Sequence, residues 1–410
     1  MNCNTAMEKK RTGEGLTLSG ALFAWYDKNG RTHLPWRKSP SPYHVWVSEI
    51  MLQQTRVETV IPYYTRWMEA LPDLQALADC PEERLLKLWE GLGYYSRARN
   101  LKKAAQQVQE QWGGMLPSNA AQLRTLSGIG PYTAGAIASI AFGEQEIAAD
   151  GNAYRIAARL LREEEPVEKG ATRKRLEEFL RAQLSAERPG DFNQALMDLG
   201  SGLCLSNGKP LCGGCPLREF CAGAEVGDAR RFPIRLPKKA RRIEKKTIFT
   251  IWKKDHILLH KRPEDGLLAG MWELPNQEGF LSKAAVEQWA RAAFGPVFVV
   301  DLGRKKHIFS HIEWHMRGFL IRVGAKKTDT PDEGKDSYAQ MSMPELPAES
   351  EKPKDFADVF AEIASNNLQQ RWVSRDTLRQ EVSIPSAFSA YVVESPQVRR
   401  RKTLEKEEEE

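Results

Sequence analysis

The sequence predicts a mostly helical N-terminal domain followed by a smaller α+β domain, and three observations carry that reading. Before residue 223, apolar residues recur at spacings of three and four in 45–57, 83–89, 101–112, 133–142, 153–161 and 174–184, the period of a helix with one buried face. After residue 246 the period changes. TIFTIW, HILLHKR, FVVDLG and MRGFLIRV read as strands, with one apolar helix at 283–294 among them. Between the two patterns, 229–246 holds nine Lys/Arg against one Glu, and two prolines, which reads as an extended basic linker able to run beside phosphates. A chain of 410 residues exceeds one ordinary core, and 41% apolar content is enough for two.

In order along the chain, 1–15 has no periodic pattern and reads as a frayed terminus. The helical domain is expected over 16–223, with its Pro and Gly gathered in loops such as 38–43 and 112–118. The linker is set at 224–246 and the second domain at 247–395. Within that domain 326–355, rich in Pro, Asp, Glu, Lys and Ser, reads as a flexible insertion, and 396–410 as a charged tail. The net charge of +6 suits a polyanionic partner without establishing one. No apolar run is long enough for a bilayer, and the polar start MNCNTAMEKKRTGEG is no secretory signal.

Four of the six cysteines cluster as C-x7-C-x2-C-x5-C: Cys204, Cys212, Cys215 and Cys221. One short loop thereby gathers four thiols, as an iron–sulfur cluster or a zinc site requires, and metal ligation fits better than a disulfide framework. Upstream, LSGIGPYTAGAIA at 126–138 reads as a tight turn opening a helix. Gly128 and Gly130 permit positive φ, Pro131 suits the first helical position, and exposed N–H groups there can hold a phosphate. This is a helix-hairpin-helix reading. Asp150, in AADGNAYR, stands where a helix cap is expected. Glu49 lies in VWVSEIMLQQTR among apolar neighbours. If it is buried there, its pKa rises and it can donate a proton; otherwise it is a surface glutamate facing Arg56. Gln53 and Gln54 carry amides able to reach base edges, or are ordinary polar helix positions.

Together LPWR (34–37), SEIMLQQTRVETVIPYY (48–64), WEGLGYYSRARNL (89–101), LSGIGPYTAGAIA, DGNAYR and the four-cysteine loop make the chain resemble the adenine DNA glycosylases, the MutY branch of the helix-hairpin-helix glycosylases. The resemblance spans roughly 16–395. It implies a six-helix barrel plus an iron–sulfur helical domain, with double-stranded DNA held in the cleft. It also implies a substrate, adenine mispaired with 8-oxoguanine or guanine. On this resemblance Glu49 is the general acid that protonates the departing adenine, and Asp150 the carboxylate that stabilises the oxocarbenium ion or bonds to it transiently. Tyr132 and Asn152 support Asp150 and order the attacking water. Such a pair needs environments that push the two pKa values apart. Endonuclease III-like relatives carry a lysine at the position of Tyr132, so the resemblance implies base removal without strand cleavage.

The base must leave the stack to react. Gln54 and Tyr94 are implied to fill the duplex around the mispair, with Trp36, Arg37 and Gln194 forming part of the adenine pocket. The four cysteines are implied to hold a 4Fe–4S cluster, although seven residues separate Cys204 from Cys212 where the family has six. In the second domain, KRPEDGLLAGMWELP (261–275) and HIFSHIEWH (307–315) resemble the Nudix-like module of the same family, with Phe309, Ser310 and His311 probing the oxidised base. Hydrolysis is not expected of it. VEQWARAAFG (286–295) has Ala292 and Ala293 where a Nudix hydrolase has metal-binding glutamates. The alternatives are a glycosylase for another base and a DNA-binding scaffold with a decayed site. A monomer acting on DNA in a bacterial cytoplasm is expected.

Overall fold

The computed structural model describes residues 17–237, 240–324 and 369–393. The flexible insertion, the frayed N-terminus and the charged tail expected from the sequence lie outside these. The chain divides into two compact units, 1–238 and 239–410.

The first unit is helical. Its longer helices are α1 Leu18–Asn29, α2 Pro42–Leu52, α3 Val57–Ala70, α4 Glu82–Trp89, α5 Ser96–Trp112, α6 Pro131–Phe142, α7 Gly151–Leu161, α8 Gly170–Gln183 and α9 Pro189–Gly202. Local chemistry sets their ends. Thr17, Ser41 and Asp150 accept backbone N–H groups as N-caps of α1, α2 and α7, and Pro42 and Pro131 occupy first-turn positions. Gly113 and Gly143 close α5 and α6 in the left-handed region. Helix α2 stops at Leu52, short of the 45–57 periodicity, because the chain turns through Gln54 at φ +57°.

Helices α2 and α6 are buried over most of their circumference, including 45–51 and 133–139. Three glycines allow the close approach that this requires. A Cβ at Gly135 would lie 2.4 Å from the Ile147 carbonyl oxygen, one at Gly190 2.8 Å from Ile140 Cα, and one at Gly200 2.6 Å from Asn152 Cβ. The buried Asn193 amide ties the same region together. It accepts from the Ala148 N–H and donates to Ser139 and to the Glu146 carbonyl, fixing the segment that leads into α7.

The second unit is a seven-stranded mixed sheet with the path β3-β2-β1-β6-β5, where β4 pairs β1 and β7 pairs β2. The strands are β1 Arg242–Lys253, β2 His256–Lys261, β3 Trp272–Glu273, β4 Asn276–Glu278, β5 Val297–Ile308, β6 Ile312–Val323 and β7 Gln370–Ser374. Period two sorts their side chains. Ile312, Trp314, Met316 and Leu320 face one core with Phe388 and Tyr391, while Phe319 and Ile321 face another beneath helix α10, Lys283–Phe294.

The division between the units falls inside the stretch expected as a linker at 224–246, at 238/239, but most of that stretch is structured. Residues up to Ile234 are fastened to the helical unit: Phe232 is fully buried, its carbonyl accepts from Arg159, and the Ile234 carbonyl accepts from the Val167 N–H. From Arg242 the chain is already strand β1, in parallel register with β6 from Arg242↔Ile312. Basic composition hid both facts, because charged residues are interspersed with ones that pack or pair, such as Phe232 and Thr247.

Gly318 is a test of the second core. A Cβ there would sit 2.1 Å from Cδ1 of Tyr391, a fully buried ring whose hydroxyl donates to the Met316 carbonyl. Gly318→Ala is expected to destabilise the second unit by about 1–3 kcal/mol or more, read by chemical denaturation followed through tryptophan fluorescence.

Candidate active site

One cleft of about 750 Å³ in the helical unit gathers most of the polar residues singled out in the sequence: Trp36, Arg37, Glu49, Tyr132, Asp150, Asn152 and Gln194 all line it. Glu49 is 5% exposed, on the inner face of α2. Its carboxylate Oε2 accepts from the Tyr132 hydroxyl at 2.5 Å, across from α6. Burial lifts the Glu49 carboxyl from its ordinary 4.5 to about 6; the Tyr132 hydrogen bond and the Arg37 charge oppose this and the Asp150 charge adds to it. The surface reading of this residue is thereby excluded.

Asp150 is the N-cap of α7, and its carboxylate accepts three hydrogen bonds, from the Asn152 N–H, the Ala153 N–H and the Asn152 side-chain amide, each at 2.8 Å. Asn152 is held in turn. Its Oδ1 accepts from Arg155, whose guanidinium also donates to the Gly200 and Cys204 carbonyls. Both carboxyls feel the burial of the cleft. Burial raises Asp150 as well, with the Ala153 and Asn152 donors and the Arg155 charge working against it. The contrast lies in bonding: Asp150 has three donors suited to an anion, Glu49 a single hydroxyl.

Trp36 is buried with its ring edge-on to Tyr64 at 5.4 Å. Arg37 lines the cleft, yet both its terminal nitrogens donate to Asp198, at 2.7 and 3.0 Å. Gln53 turns inward to Thr133 at 3.3 Å rather than outward. Gln54 and Tyr94 meet: the Tyr94 hydroxyl donates to Gln54 Oε1 at 2.8 Å, Tyr94 is 47% exposed, and both backbones are left-handed, φ +57° and +48°. Two non-glycine residues in that conformation, side by side and exposed, mark a strained feature of the kind found where a protein grips a ligand. Of the hairpin glycines, Gly128 has φ +76° and Gly130 does not; Gly130 is an extended cap at φ −85°. It leaves open space around α6's first turn.

The sequence reading missed three residues that hold this arrangement. Arg97 donates to the Ile50, Met51, Gln53, Leu92 and Gly93 carbonyls, so one guanidinium closes the end of α2 and fixes the Gln54 and Tyr94 turns. Asp198 and Arg155 serve similarly on α9 and α7. Their signal is a charged residue among small and apolar ones, too common to single out from one sequence.

The four cysteines line a second, small pocket with Ile156, Leu160, Leu199 and Leu203. Arg159 donates to Cys204 Sγ at 3.1 Å. Among the described residues no three Cys, His, Asp or Glu groups gather as a single-ion site. Four thiols arranged around an apolar cavity, with a guanidinium on one sulfur, fit a group that takes thiolate ligands. The seven-residue spacing is accommodated by a turn at Gly208, φ +83°.

In the second unit Phe309, Ser310 and His311 form the tip between β5 and β6. Ser310 and His311 are exposed, while the Phe309 ring leans on Trp314 at 4.9 Å. Ala292 and Ala293 are exposed on α10.

Comparison with known proteins agrees with this layout. Residues 47–182 match the HhH-GPD superfamily of base excision DNA repair proteins and 247–393 match a NUDIX domain. The adenine DNA glycosylase of Homo sapiens is 36% identical over 382 residues, 78% of this chain and 69% of that one. That of Buchnera aphidicola subsp. Baizongia pistaciae is 34% identical over 316 residues, 75% of this chain and 87% of that one. A solved thermostable thymine-DNA glycosylase overlays with a TM-score of 0.48 at 24% identity, over 55% of this chain and 100% of that one.

Glu49 makes a stability prediction with a definite sign. A carboxyl whose folded pKa is raised costs nothing below the unfolded value; the cost develops as pH rises from 4.5 towards about 6 and persists above. At about 1.4 kcal/mol for each pH unit, this reaches about 2 kcal/mol. Glu49→Gln is therefore expected to be more stable than the parent at pH 7.5 by up to about 2 kcal/mol, with the difference gone by pH 4, in paired urea titrations.

Proposed function

The chain belongs to the adenine DNA glycosylases of base-excision repair, and on that premise we propose that it flips out adenine mispaired with 8-oxoguanine or guanine and removes it by hydrolysis, leaving the strand uncut. The observation that carries the mechanism is a buried, singly hydrogen-bonded Glu49 in the same cleft as Asp150 with its three donors.

Glu49, with its carboxyl lifted to about 6, keeps a proton available near neutrality and gives it to the leaving base. As the glycosidic bond lengthens, positive charge develops on the sugar. Asp150 meets it as a carboxylate, pre-oriented by the Asn152 and Ala153 donors, so no reorganisation is needed at that moment. The charge on the sugar itself favours ionised Asp150, which offsets the effect of burial. Tyr132 orients Glu49, and Asn152 is placed to order the attacking water. No lysine occupies the Tyr132 position, so no Schiff base forms there.

Trp36, Arg37 and Gln194 are assigned to the adenine pocket, Gln54 with Tyr94 to the gap left in the duplex, and the Gly128–Gly130 turn to a phosphate. Gln53, turned towards Thr133, is assigned a supporting role behind Gln54. Ser310 and His311, exposed at the tip behind which Phe309 is braced, are assigned to the base opposite adenine. The NUDIX-type unit recognises rather than hydrolyses, since α10 lacks the glutamates that hold magnesium. Among the described residues no helix is long and apolar enough to cross a membrane; a monomer working on DNA in a bacterial cytoplasm is part of the proposal.

Cys204, Cys212, Cys215 and Cys221 are proposed to hold a 4Fe–4S cluster. When bound, it would crosslink 204–221 and order that loop, with Lys209 and Arg218, for contact with DNA. Anaerobically purified protein is expected to be brown, absorbing near ~400 nm with about four irons per chain; stoichiometric zinc with no iron would overturn this assignment.

Duplexes carrying adenine opposite 8-oxoguanine test the reaction. Strand breaks are expected only after alkali, and Glu49→Gln is expected to abolish turnover while retaining mispair binding. Breaks without alkali, or a borohydride-trapped adduct, would end the hydrolytic reading; binding without product would favour the scaffold.

A further inference from the structure

We propose that Asp198 is a positioning residue for the base-removal reaction, which holds Arg37 in the cleft wall beside Glu49 and prevents the two from forming an ion pair. The inference rests on Glu49 acting as the acid. Asp198 lies on α9, 4% exposed, and its carboxylate accepts five hydrogen bonds from two arginines. The Arg31 N–H and both Arg37 Nη atoms donate to it, as do Arg31 Nε and Nη2, at 2.6–3.0 Å. Burial alone would raise Asp198; the Arg37 hydrogen bond and charge, with the Arg31 amide and charge, hold it below the usual carboxylate range. It is therefore an anion throughout the working pH range.

Arg37 lines the same cleft as Glu49, and its charge pulls on that carboxyl. Two-pronged binding to Asp198 uses the geometry that a carboxylate and a guanidinium prefer, and it turns both Arg37 Nη atoms to Asp198 rather than to Glu49. Among the described residues Glu49 accordingly bonds Tyr132 and joins no ion pair. The other groups acting on Glu49 are the Asp150 charge, which raises it, and the neutral Tyr132 hydroxyl, whose hydrogen bond lowers it. Arg56, Glu58, Arg188 and Asp191 line the same cleft. Besides Asp198, the carboxylate whose charge acts on Arg37 is Glu49, so removing the Asp198 charge would free Arg37 to pair with it, and a paired Glu49 gives up no proton at neutral pH. Asp198 also ties the 31–37 segment, which carries Trp36, to the helix carrying Gln194.

Single-turnover rates against pH on the adenine:8-oxoguanine duplex test this. A general acid is active while protonated, so the parent rate falls as pH rises through the Glu49 titration. In Asp198→Asn the midpoint of that fall is expected to move down by roughly one pH unit, with activity partly recovered at the acid end; Asp198→Glu should restore the parent midpoint. Should Asp198→Asn not fold, Asp198→Asn with Arg31→Gln keeps the net charge of the cluster, leaves Arg37 free, and carries the same expectation. A uniform loss at every pH with an unmoved midpoint, in either folded variant, would reduce Asp198 to a structural tie and overturn the proposal. If instead the parent shows no such fall and Glu49→Gln still turns over, the acid assignment fails first and the Asp198 proposal with it.

Discussion

Glu49 sits on α2 with apolar neighbours buried on both sides along 45–51, and it is not neutralised by a paired cation. Taking an ionised carboxylate out of water without a partner is costly, and the group responds by keeping its proton to higher pH. Much of the surrounding structure can be understood from that one constraint. On the proposed mechanism, the cleft must bring a cation near enough to bind an extruded base yet leave Glu49 unpaired, and it must place a second carboxylate where positive charge would develop. Tyr132 meets part of this by offering a neutral donor, and Asp198 meets another part by occupying Arg37.

Convergence of these groups depends on absent side chains as much as on present ones. Gly135, Gly190 and Gly200 stand where α6, α9 and the start of α7 approach most closely, and a Cβ at any of them would meet backbone or Asn152 at under 3 Å. Tyr132, Asp150, Asn152 and Gln194 are carried by those same three helices. Asn193, fully buried and satisfied on both sides of its amide, fixes the segment that delivers Asp150. Precision in the site thus comes from helix packing.

Much of this was legible in the sequence. The helical periods fall on observed helices, the 283–294 helix matches Lys283–Phe294, and the four strand segments fall in β1, β2, β5 and β6. Chemical motifs such as the Gly-Ile-Gly turn and the cysteine loop stood out because few other arrangements use them. What failed to show were relations across the fold. Asp198 lies 161 and 167 positions from the arginines it binds, and Arg97 reaches carbonyls up to 47 positions away. No local pattern encodes such partners. The basic stretch at 229–246 misled for a different reason: charge in a docked segment or at the start of a strand looks the same in sequence as charge along a solvated linker, although here β1 pairs on both sides and Lys246 is largely desolvated.

Asp150 shows why local and functional readings need not compete. As a helix cap it accepts the Asn152 and Ala153 N–H groups that the first turn of α7 leaves without helical partners. Those same donors, with the positive end of the helix dipole, are what a carboxylate needs if it is to remain ionised in a cleft whose burial favours protonation. The cap fixes the oxygen positions, and Arg155 fixes Asn152 through two carbonyls of neighbouring segments. A site that places a charge by ending a helix obtains both orientation and stabilisation from backbone groups, which do not titrate and cannot swing away. Glu49, in mid-helix, has no such backbone donors, and the different environments of the two carboxyls follow from where on their helices they stand.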